Sequence, residues 1–213
     1  MKREEYFVKS FEEDFILKTI KNKKKVKFQS IRNILSQKRI NPNTVSFGRK
    51  RRLACTYLNK NYLKTYRSQG LIFQTNDLPK QVYPFDLLIL TDAKKIIVQY
   101  FRIKEDLHKY YGHKLISGFD KFMFKSPKEM LKKIASPKTA WKKANSFRKK
   151  VGYSVLPKSK YKLVEYNEVI FNKSIKIKPV AIFGYRKIAK EIAKKYDLPY
   201  FRTAKEFYLR FKK

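Results

Sequence analysis

The chain has 213 residues, 43% of them hydrophobic and 15% aromatic, enough for the core of one medium domain or two small ones and too apolar for a disordered tail. Fifty-three Lys and Arg against 17 Asp and Glu leave a net charge of +36, a self-repelling balance that calls for a polyanionic partner, DNA or RNA before an anionic membrane. One cysteine, Cys55, excludes an internal disulfide framework and a multi-cysteine zinc site, and no run approaches the roughly 18 to 20 apolar residues of a bilayer span.

The opening MKREEYFVKSFEEDF carries acidic residues and no apolar signal core. With the lone cysteine it predicts an intracellular, reducing compartment, the cytoplasm or another that holds nucleic acid. FEEDFILKTI, 11–20, predicts a short helix with Phe11, Phe15 and Ile16 on one side. KNKKKVK follows at 21–27, and Lys23, Lys24 and Lys25 read as a phosphate-contacting arm. Ile31, Ile34 and Leu35 recur at helical spacing, and Asn41-Pro42-Asn43 marks a turn. A second helix begins near Thr44-Val45-Ser46, with Leu53, Ala54, Tyr57 and Leu58 as its apolar stripe. Two helices around a turn suggest a helix-turn-helix, and Arg49, Lys50, Arg51 and Arg52 crowd the position of a DNA reader. The alternative is a basic helix that touches phosphates without reading bases. Residues 1–61 are thus expected to form a basic helical segment, and 62–213 an α/β domain.

From residue 62 the pattern turns to period two. YLKTYRS, PFDLLIL and KIIVQYFRI read as strands, with Thr91-Asp92-Ala93-Lys94 closing a hairpin between the last two. The near-continuous runs LLIL and IIV suggest strands covered on both faces. Helices follow: Ser126-Pro127-Lys128-Glu129 is a serine cap with proline first and glutamate third, and Ser136-Pro137 starts another. Ala140, Trp141, Ala144 and Phe147 share one face of the latter. Lys142, Lys143, Arg148 and Lys149 belong to a second basic concentration spanning 132–150. After Gly152, YKLVEYNEVIF and SIKIKPVAIFGY read as strands, YRKIAKEIAKKYDLPYF as helix, turn and short strand, and Thr203-Ala204-Lys205-Glu206 as the cap of a last helix. Strand, helix, strand in that order predicts a crossover unit in a mixed sheet flanked by helices.

The stretch YPFDLLILTDAKKIIVQYFRIK, 83–104, carries the candidate chemistry. Pro84-Phe85-Asp86 on one strand and Gln99 on the next, after a helix over 49–60, resemble the core of the PD-(D/E)XK nuclease superfamily, most closely archaeal Holliday-junction resolvases, over roughly residues 48–115. The resemblance implies a restriction-endonuclease-like core. It also implies a Mg²⁺ held by Asp86 and the Gln99 amide oxygen against a scissile phosphate, with a nearby cation stabilising the developing charge. The chain departs from the pattern twice. Phe101 stands where the lysine belongs, leaving Arg102 or Lys104 to reach the site only through a bulge or strand end, and Arg52 falls where resolvases carry a glutamate.

The expectation is a nucleic-acid-binding protein of nuclease-like fold, catalytically weakened. It would grip structured DNA or RNA through its basic surface, with Arg67 and Arg102 lining a groove near Asp86. One alternative is an active Mg²⁺-dependent endonuclease or resolvase. The other is a divergent ribosomal protein of a ribonucleoprotein particle. A homodimer is also open, and no membrane partner is expected. Tyr110, His113 and Lys114 invite comparison with the tyrosine, histidine and lysine of RNA-splicing endonucleases, without the wider motif. With six glycines in the chain, glycine-rich phosphate loops are nearly excluded.

Overall fold

The computed structural model of the chain describes residues 5–11, 16–21, 25–42, 53–90 and 119–211. In chain order these form β1 (Tyr6–Ser10), β2 (Ile16–Lys21), β3 (Lys25–Ser30), α1 (Ile31–Gln37), β4 (Arg39–Ile40), β5 (Leu53–Leu58), β6 (Gly70–Gln74) and β7 (Gln81–Tyr83). A 3-10 helix (Leu87–Leu90) follows, then α2 (Pro127–Lys133), α3 (Pro137–Lys150) and a second 3-10 helix (Lys158–Val164). The chain closes with β8 (Glu168–Phe171), β9 (Ile175–Lys176), β10 (Lys178–Phe183), α4 (Lys187–Lys195), β11 (Tyr200–Phe201) and α5 (Ala204–Phe211).

The fold is mixed α/β. Among the described residues one seven-stranded sheet has the order β11-β10-β6-β1-β5-β8-β7, and β2–β3 and β4–β9 form two small antiparallel pairs. Every pairing in the large sheet is antiparallel except β10 with β11, which α4 connects as the expected crossover. β1 lies in the middle, and its side chains alternate between two cores. Phe7 enters the larger, with Tyr57, Phe73 and Phe171 from neighbouring strands and the inner faces of α1, α3 and α4. Tyr6 and Val8 enter the smaller, closed by Phe207 and Tyr208 of α5. Two covered faces explain why YFV is buried throughout. Gly70 allows the closeness of β1, β6 and β10: a Cβ there would lie 2.5 Å from the Lys9 carbonyl oxygen and 2.8 Å from the Phe183 ring.

Both serine caps are present: the Ser126 and Ser136 hydroxyls accept from the amides of Glu129 and Thr139. Thr203 caps α5 through the Glu206 amide, while the Glu206 carboxylate accepts from the Arg202 amide.

Several expectations are corrected. Residues 16–20 of the first predicted helix belong to strand β2. The stripe Leu53, Ala54, Tyr57 and Leu58 belongs to strand β5; an interior strand apolar on both faces mimics helical spacing. YLKTYRS is an irregular connection, and the strand lies just after it, at β6. LLIL is a 3-10 helix. The division at 61/62 separates no cores, because β1 and β5 sit inside the same sheet as β6, β8 and β10. The helix expected from residue 44, the 91–94 turn, the Gln99 strand and Tyr110 to Lys114 lie outside the described residues.

Candidate functional site

The pairing of β7 with β8 sets Tyr83 opposite Glu168, and the chain then bends through Pro84 and Phe85 to bring Asp86 beside the segment entering β8. Asn167 locks that segment to β5: its amide oxygen accepts from the Tyr57 N–H at 2.8 Å and its amide nitrogen donates to the Tyr57 carbonyl at 2.9 Å. Tyr166 and Glu168, on either side of it, therefore hold fixed positions.

Asp86 is buried, and both its carboxylate oxygens are hydrogen-bonded. One carboxylate oxygen accepts from the Tyr166 hydroxyl at 2.6 Å, and the other accepts from the Leu88 N–H at 2.9 Å. Its own N–H donates to the Leu163 carbonyl. Asp86 thus caps the first 3-10 helix and ties it to the second. Burial, then the Asp86 charge and hydrogen bond, hold the Tyr166 phenol protonated well above its ordinary range.

Glu168 and Lys9 join this cluster, and the sequence pattern marked neither. Burial, then the neighbouring Asp86 charge, raise the Glu168 carboxyl, against an opposing hydrogen bond from the Leu87 N–H and the nearby Lys9. Lys9 points from β1 into the sheet and donates to the Ala54 carbonyl at 3.0 Å. Burial lowers its ammonium, with Cys55 and Glu168 pulling the other way and Arg67 adding to the fall. Cys55 is pushed up to about 12 by burial, so its thiol is inert at neutral pH. The signal that could have singled out Glu168 is its scarcity value: a carboxylate inside the apolar run EVIF of a chain with 17 acids.

Magnesium is usually held by one or two carboxylates, with waters and substrate phosphates completing its shell. One of the two carboxyls is held toward its protonated form, and both oxygens of the other accept hydrogen bonds from protein. Among the described residues no three metal-ligating side chains gather in one place. Gln99, Arg102 and Lys104, expected to complete the site, lie outside the described residues. Arg67 is exposed on the connection before β6, its guanidinium 5.2 Å above the Tyr66 ring, and the Tyr66 ring meets Tyr166 edge-on at 5.7 Å.

The second basic concentration is a surface with one exception. Lys138, Lys142, Lys143, Lys149 and Lys150 of α3 are all exposed, and the helix holds no carboxylate. At 3.6 residues per turn these five fall within an arc of roughly 140°. Ala140, Ala144 and Phe147 occupy the opposite side, against the core. Arg148, grouped by the sequence with the phosphate-contacting cations, is 1% exposed and belongs to the interior. Its Nε donates to the Ser154 carbonyl at 2.8 Å, a terminal nitrogen donates to the Ile89 carbonyl at 3.2 Å, and its plane lies 5.1 Å from the Tyr153 ring. It fastens α3 to the first 3-10 helix. Exposed Lys158, Lys160 and Lys162 of the second 3-10 helix extend the basic surface, and Trp141 of α3 packs on Tyr161 at 5.3 Å. Of the N-terminal arm, Lys25 opens β3, whereas Lys23, Lys24 and Arg49 to Arg52 lie outside the described residues.

Among the described residues no helix is long and apolar enough to cross a membrane. Searched against protein-family models, curated proteins and solved structures, the chain matches none of them.

Proposed function

We propose that the protein binds structured nucleic acid, DNA or RNA, through a basic surface built on α3 and the second 3-10 helix, and that its nuclease-like core is catalytically weakened. The observation that carries this reading is the lysine face of α3: five exposed cations in one arc, no acid between them, on a chain of net charge +36. A face so repelled by itself gains stability when phosphates neutralise it and release their counterions. The weakened core is supported by Asp86, whose oxygens accept from the Leu88 N–H and the Tyr166 hydroxyl, and by Phe101 in the place of the expected lysine.

Binding to a four-way DNA junction and to an RNA hairpin, followed as a function of salt, tests the first part. A steep fall in affinity is expected, close to one unit of log–log slope per neutralised phosphate of duplex. A slope near zero removes the proposal. Incubating the same substrates with Mg²⁺ or Mn²⁺ tests the second part. No cleavage is expected, and cleavage abolished by Asp86→Ala would establish the active endonuclease instead.

A further inference from the structure

α4 repeats on a smaller scale what α3 does. Lys187, Lys190 and Lys194 are exposed and fall within an arc of roughly 60° at 3.6 residues per turn. Ala189, Ile192 and Ala193 fill the opposite side, against the larger core. Glu191, the one carboxylate of the helix, lies 3.7 Å from Lys187. Exposed Arg186 leads into α4, and exposed Arg202 leaves the sheet beside it. β11 runs parallel to β10 with Phe201 beside Phe183, and the Gly184 N–H donates to the Phe201 carbonyl at 3.1 Å. The two basic faces belong to opposite edges of the sheet. α4 packs on β11 and β10, the first two strands in the spatial order. α3 is clasped through Arg148 to the first 3-10 helix, which follows β7, the last strand in that order. Six inter-strand steps of about 4.8 Å set these edges roughly 29 Å apart.

We propose that one chain holds two double-helical segments at once, one on α3 and the second 3-10 helix, the other on α4 with Arg186 and Arg202. Lys187, Lys190 and Lys194 climb α4 in steps of about 4.5 and 6 Å, a row of cations suited to a backbone charged at every nucleotide. A single straight duplex does not serve both faces. Neighbouring strands rotate by roughly 20–25°, so over six steps the two edges of the sheet turn roughly 120° or more away from each other. A duplex, with a persistence length of about 150 base pairs, stays straight over so short a span. Two segments meeting at a branch or a fold can each take one face. The inference rests on the nucleic-acid reading above and adds to it the number of segments held.

The experiment titrates the full chain with a DNA hairpin and with an RNA hairpin, each of about 12 base pairs, roughly 40 Å of stem at 3.4 Å per pair. Sedimentation reads the mass of the complex and so the number of hairpins on each chain. With the hairpin that binds more tightly, one chain is expected to carry two. Lys187→Gln, Lys190→Gln and Lys194→Gln together are expected to weaken the second binding step on the order of tenfold or more and the first by less than about twofold. All three lysines are exposed, so the variant keeps its core. One hairpin per chain in the parent, whether the chain sediments singly or as a pair, overturns this inference and leaves the basic-surface reading standing. An α4 variant that still takes two hairpins as tightly as the parent does the same. No binding of either hairpin at low salt overturns both.

Discussion

Glu168 shows how a single half-buried carboxyl writes itself into stability. Its carboxyl titrates above the ordinary value of 4.5, because burial and Asp86 oppose the charge. Below that ordinary value folded and unfolded chains are both protonated, and the residue's favourable contribution is complete. As pH rises, the unfolded chain ionises first, and the contribution disappears as pH passes the raised folded value. Glu168→Gln should therefore flatten the decline of the urea midpoint as pH rises above the ordinary carboxyl value of 4.5 and stabilise the protein at the upper end. Curves that run parallel for parent and variant would show that Glu168 ionises freely in the folded state. Asp86 was legible in the sequence as an unusual carboxylate, but not its work, which depends on Tyr166, 80 residues further along. Lys9 carried no sequence signal and Glu168 only its place beside an apolar run, because sheet register, and no sequence motif, brings β1, β5 and β8 side by side.

Elements divide by whether their signals are local. The serine and threonine caps of α2, α3 and α5 were readable, since a cap and its partner amide lie three residues apart. β5 and the LLIL turn were misread, because continuous apolar residues report burial without reporting backbone shape. Gly70 belongs to the second kind: its necessity appears only once β1 and β10 stand beside it. Gly70→Ala places a methyl against the Lys9 carbonyl, an atom of rigid backbone, with Phe183 also too near. The cost is expected at about 1–3 kcal/mol, read from chemical denaturation. A loss below about 0.5 kcal/mol would mean that the three strands can part without consequence.

Over the whole molecule, composition announced the excess of cations but not its address. Arg148 makes the point: the sequence placed it with the surface lysines, while the fold uses it to clasp backbone carbonyls inside. The lysines that remain on the α3 face give a quantitative expectation. Replacing Lys138, Lys142 and Lys149 together with glutamine should lower the log–log salt slope for duplex binding by roughly two to three units, if each meets one phosphate. The variant should melt within a degree or two of the parent or above it, because removing like charges from an exposed face relieves repulsion. An unaltered slope would move the phosphate contacts to another part of the surface.

The central position of β1 governs how this chain is made on the ribosome. Its flanking partners, β5 and β6, emerge some fifty and sixty residues after it, and β8, which pairs with β5, emerges a further hundred residues on. Loops of that length must close before the hydrophobic segment YFV is shielded, which slows acquisition of the native state. Until those partners have emerged, the nascent polypeptide presents this sticky segment to its surroundings, and a chaperone that recognises short apolar stretches would find a target there.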